Sequence, residues 1–401
     1  MPIPVTTEYR TQVRTRGLFF SNYVALLLLS LHWACVLYIN SPYLDQFVTP
    51  QTTGILYSVS AFLTIGAFLF APYILNRVGN IRLLLACSVL EFGALIGMGL
   101  ASSTWVALTF FVIHQAIVPI LLFNLDIIME TLNDGHEDST GRQRGILLTI
   151  MSLTTACAPL AIGYGIGKGT PDFMFAYMSS AFILIPFVYV ILKKFKNFAD
   201  PNYAHLRLKE AFHEFWHQRD IRFVFCAHFL LQLFFTWMVI YTPLYLSKTI
   251  GFDWEEIGAI LFVGLMAYVL LEYLIGVVAD RYIGEKEMMA FGFGVMAIAT
   301  SWFVFLDHSS ILAWMIAMFM TRVGASFVET TTESYFFKHT EGKDSNLIGL
   351  FRITRPLSYV IGALLGVVTI GIIPDEKLLF VVLGVLMIPG LFFAMALKDT
   401  K

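Results

Sequence analysis

The sequence predicts an all-helical membrane protein with twelve spanning helices in two similar six-helix halves. Three observations lead to this. Hydrophobic residues make up 58% of the 401 residues and charged ones only 13%, with a mean hydropathy of +0.74. A soluble domain carries about 25% charged residues. Apolar runs of spanning length, ~20 residues, recur along the whole chain. They are too long and continuous for barrel strands, and lipid otherwise accepts only helices. Finally, the basic residues fall almost entirely on one side of a twelve-span topology.

In order, the spans read as 18–39, 53–75, 83–100, 105–129, 145–164, 173–192, 222–245, 257–278, 288–306, 311–335, 347–371 and 378–397. The first run follows Arg10, Arg14 and Arg16 and has no small-residue cleavage site after it, so it reads as a retained helix. Of the 26 Lys and Arg residues, only Lys168, Lys248 and Lys377 fall on the side away from the termini, and only Arg322 lies within a span. Lys and Arg stay cytoplasmic, so both termini are expected in the cytoplasm and the protein in the inner (plasma) membrane. The polar stretch Lys193 to Arg222 carries seven of these residues and an amphipathic piece, Leu206 to Trp216. It reads as a cytoplasmic linker lying partly along the membrane surface. Residues 1–192 then form an N-terminal six-helix bundle, 193–221 the linker and 222–401 a C-terminal bundle.

Composition excludes several classes. The net charge of −2 comes with no basic stripe suited to nucleic acid. Cys35, Cys87, Cys157 and Cys226 stand singly in apolar runs, without metal or redox spacing. There is no Walker loop for ATP and no HExxH cluster, so neither an enzyme nor a cofactor or metal is expected. Gly-Tyr-Gly-Ile-Gly at 163–167 ends a span, where close helix packing explains it better than phosphate binding.

The halves look related. Asn76-Arg77-Val78-Gly79 corresponds to Asp280-Arg281-Tyr282-Ile283-Gly284, and Asp126, Glu130 and His136 correspond to Glu329, Glu333 and His339. Two repeated bundles about a central site are a recurrent transporter design. With these residues the whole chain resembles the major facilitator superfamily, whose signature after the second span reads roughly Gly-x-x-x-Asp-Arg-x-Gly-Arg. The second half carries Gly276, Asp280, Arg281 and Gly284; the first has Pro72 and Asn76 in place of the glycine and aspartate but keeps Arg77 and Gly79. Asn40-Ser41-Pro42, Gly54-x-x-Tyr57-Ser58 and Ala158-Pro159 with Gly163 look like the drug:proton antiporter branch. The resemblance implies a gating role for the signature residues. It also implies a central cavity lined by spans one, four, seven and ten.

Ionisable groups within a bilayer are costly and usually face a cavity or a partner. Arg322, Glu329 and Glu333 lie at i, i+7 and i+11 on one face of span ten. Arg322 either holds an anionic substrate group or controls a nearby proton site, or it forms a structural ion pair with Glu272 or Glu329. Span four repeats the pattern with Gln115, Asp126 and Glu130. The acids Asp126, Glu130, Glu329 and Glu333 near the cytoplasmic ends, and Arg142, Arg144, Arg352 and Arg355 on the following spans, read as a charge gate. Static pairing is the alternative. Glu272 and His32, about midway along their spans, and Asp126 are candidates for proton coupling. His32, Gln115, Gln232, Trp237 and Tyr241 join Arg322 as candidate substrate contacts. Glu91 reads as structural.

The expected function is secondary active transport of a small molecule by alternating access, coupled to protons. The partners are the substrate, protons and the lipid bilayer, with the protein monomeric and no nucleic acid bound. Efflux of amphipathic compounds is slightly favoured. Uptake or exchange of an organic anion at Arg322 is the alternative, and a non-transporting sensor or partner protein the alternative of another class.

Overall fold

A computed structural model describes residues 7–133, 140–168, 171–201, 203, 213, 215–279, 283–308, 310–339, 345–373 and 375–398. It describes side chains for the same residues except 7–16, 133, 140–148 and 345–350. The helices in chain order are α1 (Thr7–Leu37), α2 (Asn40–Leu44), α3 (Pro50–Val78), α4 (Asn80–Gly99), α5 (Thr104–Asn133), α6 (Thr140–Ile166) and α7 (Met174–Lys194). After the linker come α8 (Arg219–Leu244), α9 (Trp254–Val278), α10 (Glu285–Ser301), α11 (Ile311–His339), α12 (Ser345–Ile372) and α13 (Leu378–Met395). No strand occurs among the described residues. All but the five-residue α2 lie in the 12 segments long and apolar enough to span a bilayer. The amphipathic piece 206–216 falls largely outside the described residues.

Local chemistry sets the helix ends. Thr49 caps α3 by accepting from the Thr52 amide, and Pro50, which has no amide proton to satisfy, follows. Asp253 and Glu256 form a reciprocal capping box on α9. Gly79 and Gly284, at corresponding places in the two halves, have φ of 84° and 91°, a region open mainly to glycine. The chain turns sharply there into α4 and α10.

Packing divides the helices into two sets. In the first, α1 packs on α5, α6 and α7, and α4 on α5 and α7. In the second, α11 packs on α8, α9 and α10, and α13 on α8 and α10. The sets meet mainly where α6 lies along α9 and α3 along α12. Small residues allow the approach. A Cβ built on Gly258 would lie 2.6 Å from the Pro159 carbonyl oxygen and 3.3 Å from the Gly163 Cα. A Cβ on Gly54 would lie 2.9 Å from the Tyr241 hydroxyl. Large apolar side chains such as Phe62, Phe70, Trp105, Tyr273 and Phe305 are exposed outward, where lipid replaces water.

Because the α6–α9 seam leaves no room at Gly258, Gly258→Val should destabilise the protein by about 1–3 kcal/mol. Thermal unfolding of the purified protein should show a lower midpoint, with retained helical content.

Candidate functional site

Ionisable side chains from both sets meet at the centre of the molecule. Arg322, only 2% exposed, lies on α11 with its guanidinium carbon 5.4 Å from the Phe234 ring centre. Tyr38, just beyond α1, turns its hydroxyl toward Arg322 and is near Arg355. Arg355 on α12 is exposed, its guanidinium carbon 5.2 Å from the Trp33 ring centre of α1. Glu329 feels both arginines together with Glu272 and Glu333. Tyr268 lies among Arg322, Glu329, Tyr38 and Glu272, and Tyr359 lies beside Arg355 and Tyr38. Ser152 of α6 donates to Glu272 of α9 at 3.4 Å. The site thus combines two guanidiniums, three carboxyls and an aromatic surround.

Two buried polar atoms here, Arg322 Nη1 and the Tyr268 hydroxyl, have no hydrogen-bond partner among the described residues. Buried polar groups are nearly always satisfied, so each orphan needs an explanation. Neither Glu272 nor Glu329 forms an ion pair with Arg322 among the described residues. The arginine therefore keeps hydrogen-bonding capacity.

The two ends of this site differ. At the face opposite the termini the sets are closed on each other. Lys248 bonds Asp45 at 2.5 Å, the Phe173 and Trp254 rings meet edge to face at 5.2 Å, and Ser58 donates to the Val360 carbonyl at 3.1 Å. Lys248 is carried by a π-helical turn, Tyr245–Ile250, that extends α8 and ends at Gly251 with φ of 85°. At the face bearing the termini, Arg352 Nη2 lies 2.7 Å from Glu130 Oε1 across the sets, with both side chains more than a third exposed. Asp126 and Glu333 act on Arg352 as well. Arg355, three residues along α12 from Arg352, is exposed as well.

The structure redistributes the candidates read from sequence. Gln115 on α5 is half-buried, and Gln232 is buried against His228 at 3.3 Å. Trp237 and Tyr241 are buried. Their polar atoms donate to the Gly362 carbonyl at 2.6 Å and the Ala363 carbonyl at 2.9 Å, tying α8 to α12. His32 does not face the central site. Its ring turns into the first set, 3.3 Å from Glu91 and bonded to Ser180, because that buried carboxyl and the serine supply polar partners. Glu329 and Arg355 belong to the centre rather than to the rim.

The loop residues have their own partners. Arg77 stacks on Tyr73 at 4.3 Å. The Asn80 amide after Gly79 donates to Asp200 of the linker at 2.8 Å, and Tyr203 donates to the same carboxylate at 2.6 Å. An acid from the linker thus caps α4. Behind Gly284, buried Glu285 bonds Lys338 and Ser334 of α11. Asp280 and Arg281, and the side chains of Arg142 and Arg144, lie outside the described residues.

Sequence reasoning left Trp33, Tyr38, Tyr268 and Tyr359 unremarked. Tyr38 and Trp33 end span one close to Arg322 and Arg355, but only the fold brings residues so far apart together. For Glu91 a signal existed. His32, Glu91 and His114 all stand within about ten residues of the same face on three neighbouring spans.

The family model described as "Major Facilitator Superfamily" matches residues 224–401. A comparison with curated protein sequences finds no match. Among solved structures, a mutant of the nucleoside transporter NupG is similar, with a TM-score of 0.73 and 13% identity over 94% of this chain and 99% of that one. A second crystal structure of NupG gives 0.69 and 15%, over 94% and 98% of the two chains. At such identity the likeness concerns the fold, and this chain has the major-facilitator fold of twelve spanning helices.

Proposed function

We propose that the protein is a secondary transporter that moves a small molecule by alternating access, holding it between the two helix sets at the Arg322–Arg355–Glu329 centre. One observation carries the reading. Ionisable groups from α9, α11 and α12 gather with Trp33 and Tyr38 of the first set at the junction, reachable from one face and closed at the other. Rocking the sets about this point exposes the same groups to either side in turn. By the charge bias of its loops, the face bearing the termini is cytoplasmic, and the membrane is the inner (plasma) membrane.

Arg322 and Arg355 offer donors to an anionic or carbonyl-bearing group, and Trp33, Tyr38 and Tyr359 offer ring faces to a planar or apolar part. Unlike a site with one fixed charge, this one changes its net charge with each proton taken by Glu272, Glu329 or Glu333. That supports proton coupling. The aromatic surround also favours a second reading, efflux of amphipathic compounds of the kind handled by drug:proton antiporters. Nucleosides join the candidates because the structures of similar fold carry them.

A thermal-shift screen with nucleosides, organic anions, sugars and lipophilic cations tests the site. A ligand at a hundredfold excess over Kd stabilises the fold by about 2.7 kcal/mol. An anion or nucleoside should raise the melting point of the parent protein, and Arg322→Ala and Arg355→Gln should each lose that rise. Stabilisation by lipophilic cations that survives both substitutions would move the reading to efflux of amphipathic compounds. The absence of any shift, with signalling in place of flux, would point to a sensor.

At the rim, the Glu130–Arg352 pair is partly exposed and contributes at most ~1 kcal/mol to stability. Glu130→Arg or Arg352→Glu alone should slow transport several-fold with little change in melting temperature. The double exchange should restore much of the rate, measured as flux into proteoliposomes. Flux that stays unchanged when the proton gradient is collapsed would exclude proton coupling.

A further inference from the structure

Hydrogen-bonding demand at the central site is one-sided. An arginine side chain has N–H donors and no acceptor. The Phe234 ring lies against the Arg322 guanidinium, 5.4 Å from its carbon, a contact that occupies none of the N–H groups. Arg322 Nη1 has no hydrogen-bond partner among the described residues, and neither has the hydroxyl of Tyr268 on α9. Both side chains are deeply buried, at 2% and 8% exposed. Tyr38 turns its hydroxyl toward the same arginine. Toward an arginine a hydroxyl can only accept, so the Tyr38 hydrogen is left to donate elsewhere. Tyr268 lies near both Arg322 and Tyr38. Arg322 Nη1, the Tyr268 hydroxyl and the Tyr38 hydroxyl are thus donors gathered without an acceptor.

The carboxyls nearby do not meet this demand. Glu329 stands seven residues from Arg322 on the same helix, about 10 Å along its axis. Glu272 accepts from Ser152 across the α6–α9 seam at 3.4 Å. Both act on Tyr268, yet neither bonds its hydroxyl. Tyr38 feels Arg322 and Arg355, and no carboxylate acts on it among the described residues. A buried guanidinium without a paired anion is costly, because its charge is desolvated and not offset.

We infer that the substrate carries a carboxylate, seated on Arg322 Nη1 and the hydroxyls of Tyr268 and Tyr38. The inference deepens the reading of this centre as the substrate site and rests on it. An ionised carboxylate only accepts, so it satisfies all of these donors and supplies the missing countercharge in one group. A neutral amide or nucleobase brings no charge and adds donors of its own. A phosphate brings up to about two charges, with one buried guanidinium to meet them and Glu329 and Glu272 to oppose them. A lipophilic cation meets Arg322 as a like charge. Tyr38 belongs to the first helix set, whereas Tyr268 and Arg322 belong to the second, so the carboxylate touches both. The ring of Tyr359, beside Tyr38 and Arg355, is placed to meet the apolar body behind it.

The probes are benzoate and phenylacetate, their neutral amides benzamide and phenylacetamide, and phenylphosphonate. Binding to the purified protein is followed by thermal shift and titration calorimetry. At least one carboxylate should bind about tenfold or more tightly than its amide, the weight of a hydrogen bond to a charged group. Tyr268→Phe and Tyr38→Phe should each weaken that carboxylate about tenfold. Without ligand, Tyr268→Phe should melt no lower than the parent, since it removes a hydroxyl that has no partner. It therefore separates binding from folding and remains informative if Arg322→Ala does not fold. Glu329→Gln, which removes a nearby negative charge, should leave the carboxylate bound at least as tightly. Carboxylate and amide binding equally, phosphonate preferred to both carboxylates, neither carboxylate binding, or binding indifferent to both Phe substitutions overturns the inference. Flux into proteoliposomes separates it from the transport reading. A carboxylate bound as expected but never moved supports this inference while overturning transport. A nucleoside or lipophilic cation moved at a rate untouched by Tyr268→Phe does the reverse.

Discussion

A guanidinium or carboxylate at the depth of the acyl chains costs ~2.5–3.5 kcal/mol even on insertion scales, so each one must find a partner, a cavity or water. That constraint organises this molecule. Most basic residues are confined to loops at one face, and the few ionisable groups left inside gather in two places. Arg322, Arg355, Glu329 and Glu272 gather between the helix sets, with Tyr38 and Trp33 against them. Glu91 gathers His32 and His114 inside the first set. The first group includes an exposed member, Arg355. The second has none, so its charge must balance internally.

The closures at the two faces are chemically unlike, which suits a molecule that must open each in turn. Opposite the termini, backbone meets backbone at Gly163 and Gly258, aromatic edges fill the seam, and the ion pairs Lys248–Asp45 and Lys168–Glu255 join the sets. Such a contact is close-packed and discriminating in shape. Toward the termini, the Glu130–Arg352 pair lies in partial contact with water, where breaking it costs little. Opening the first face therefore needs a specific push, and the second can respond to small changes in substrate or proton occupancy.

The spans were legible because apolar length and charge placement are properties of single segments. The repeat was legible for a related reason: Gly79 and Gly284 need a backbone conformation that few other residues adopt, so the chain marks them. The depth of Arg322 could likewise be read by counting along one helix. What a helix faces was harder. Trp237 and Tyr241 stand beside the face of His228, Gln232 and Thr236, and their polar atoms turn to carbonyls of α12, which no periodicity reveals. Arg352 and Arg355 stand three residues apart, but one meets Glu130 and the other stacks on Trp33. Spacing along one helix does not decide whether His32 faces the cavity or the bundle. The choice was made by Glu91 and Ser180, distant in sequence and adjacent only once four helices have packed.

The account stands or falls on whether the central site is reached from both faces. Trp33→Cys places a thiol beneath the Arg355 guanidinium, and a membrane-impermeant maleimide can be applied to vesicles of each orientation. Labelling from both faces, with a saturating ligand changing the two rates in opposite directions, is the expected result. Labelling from the face bearing the termini alone, under every condition of pH and ligand, would contradict it.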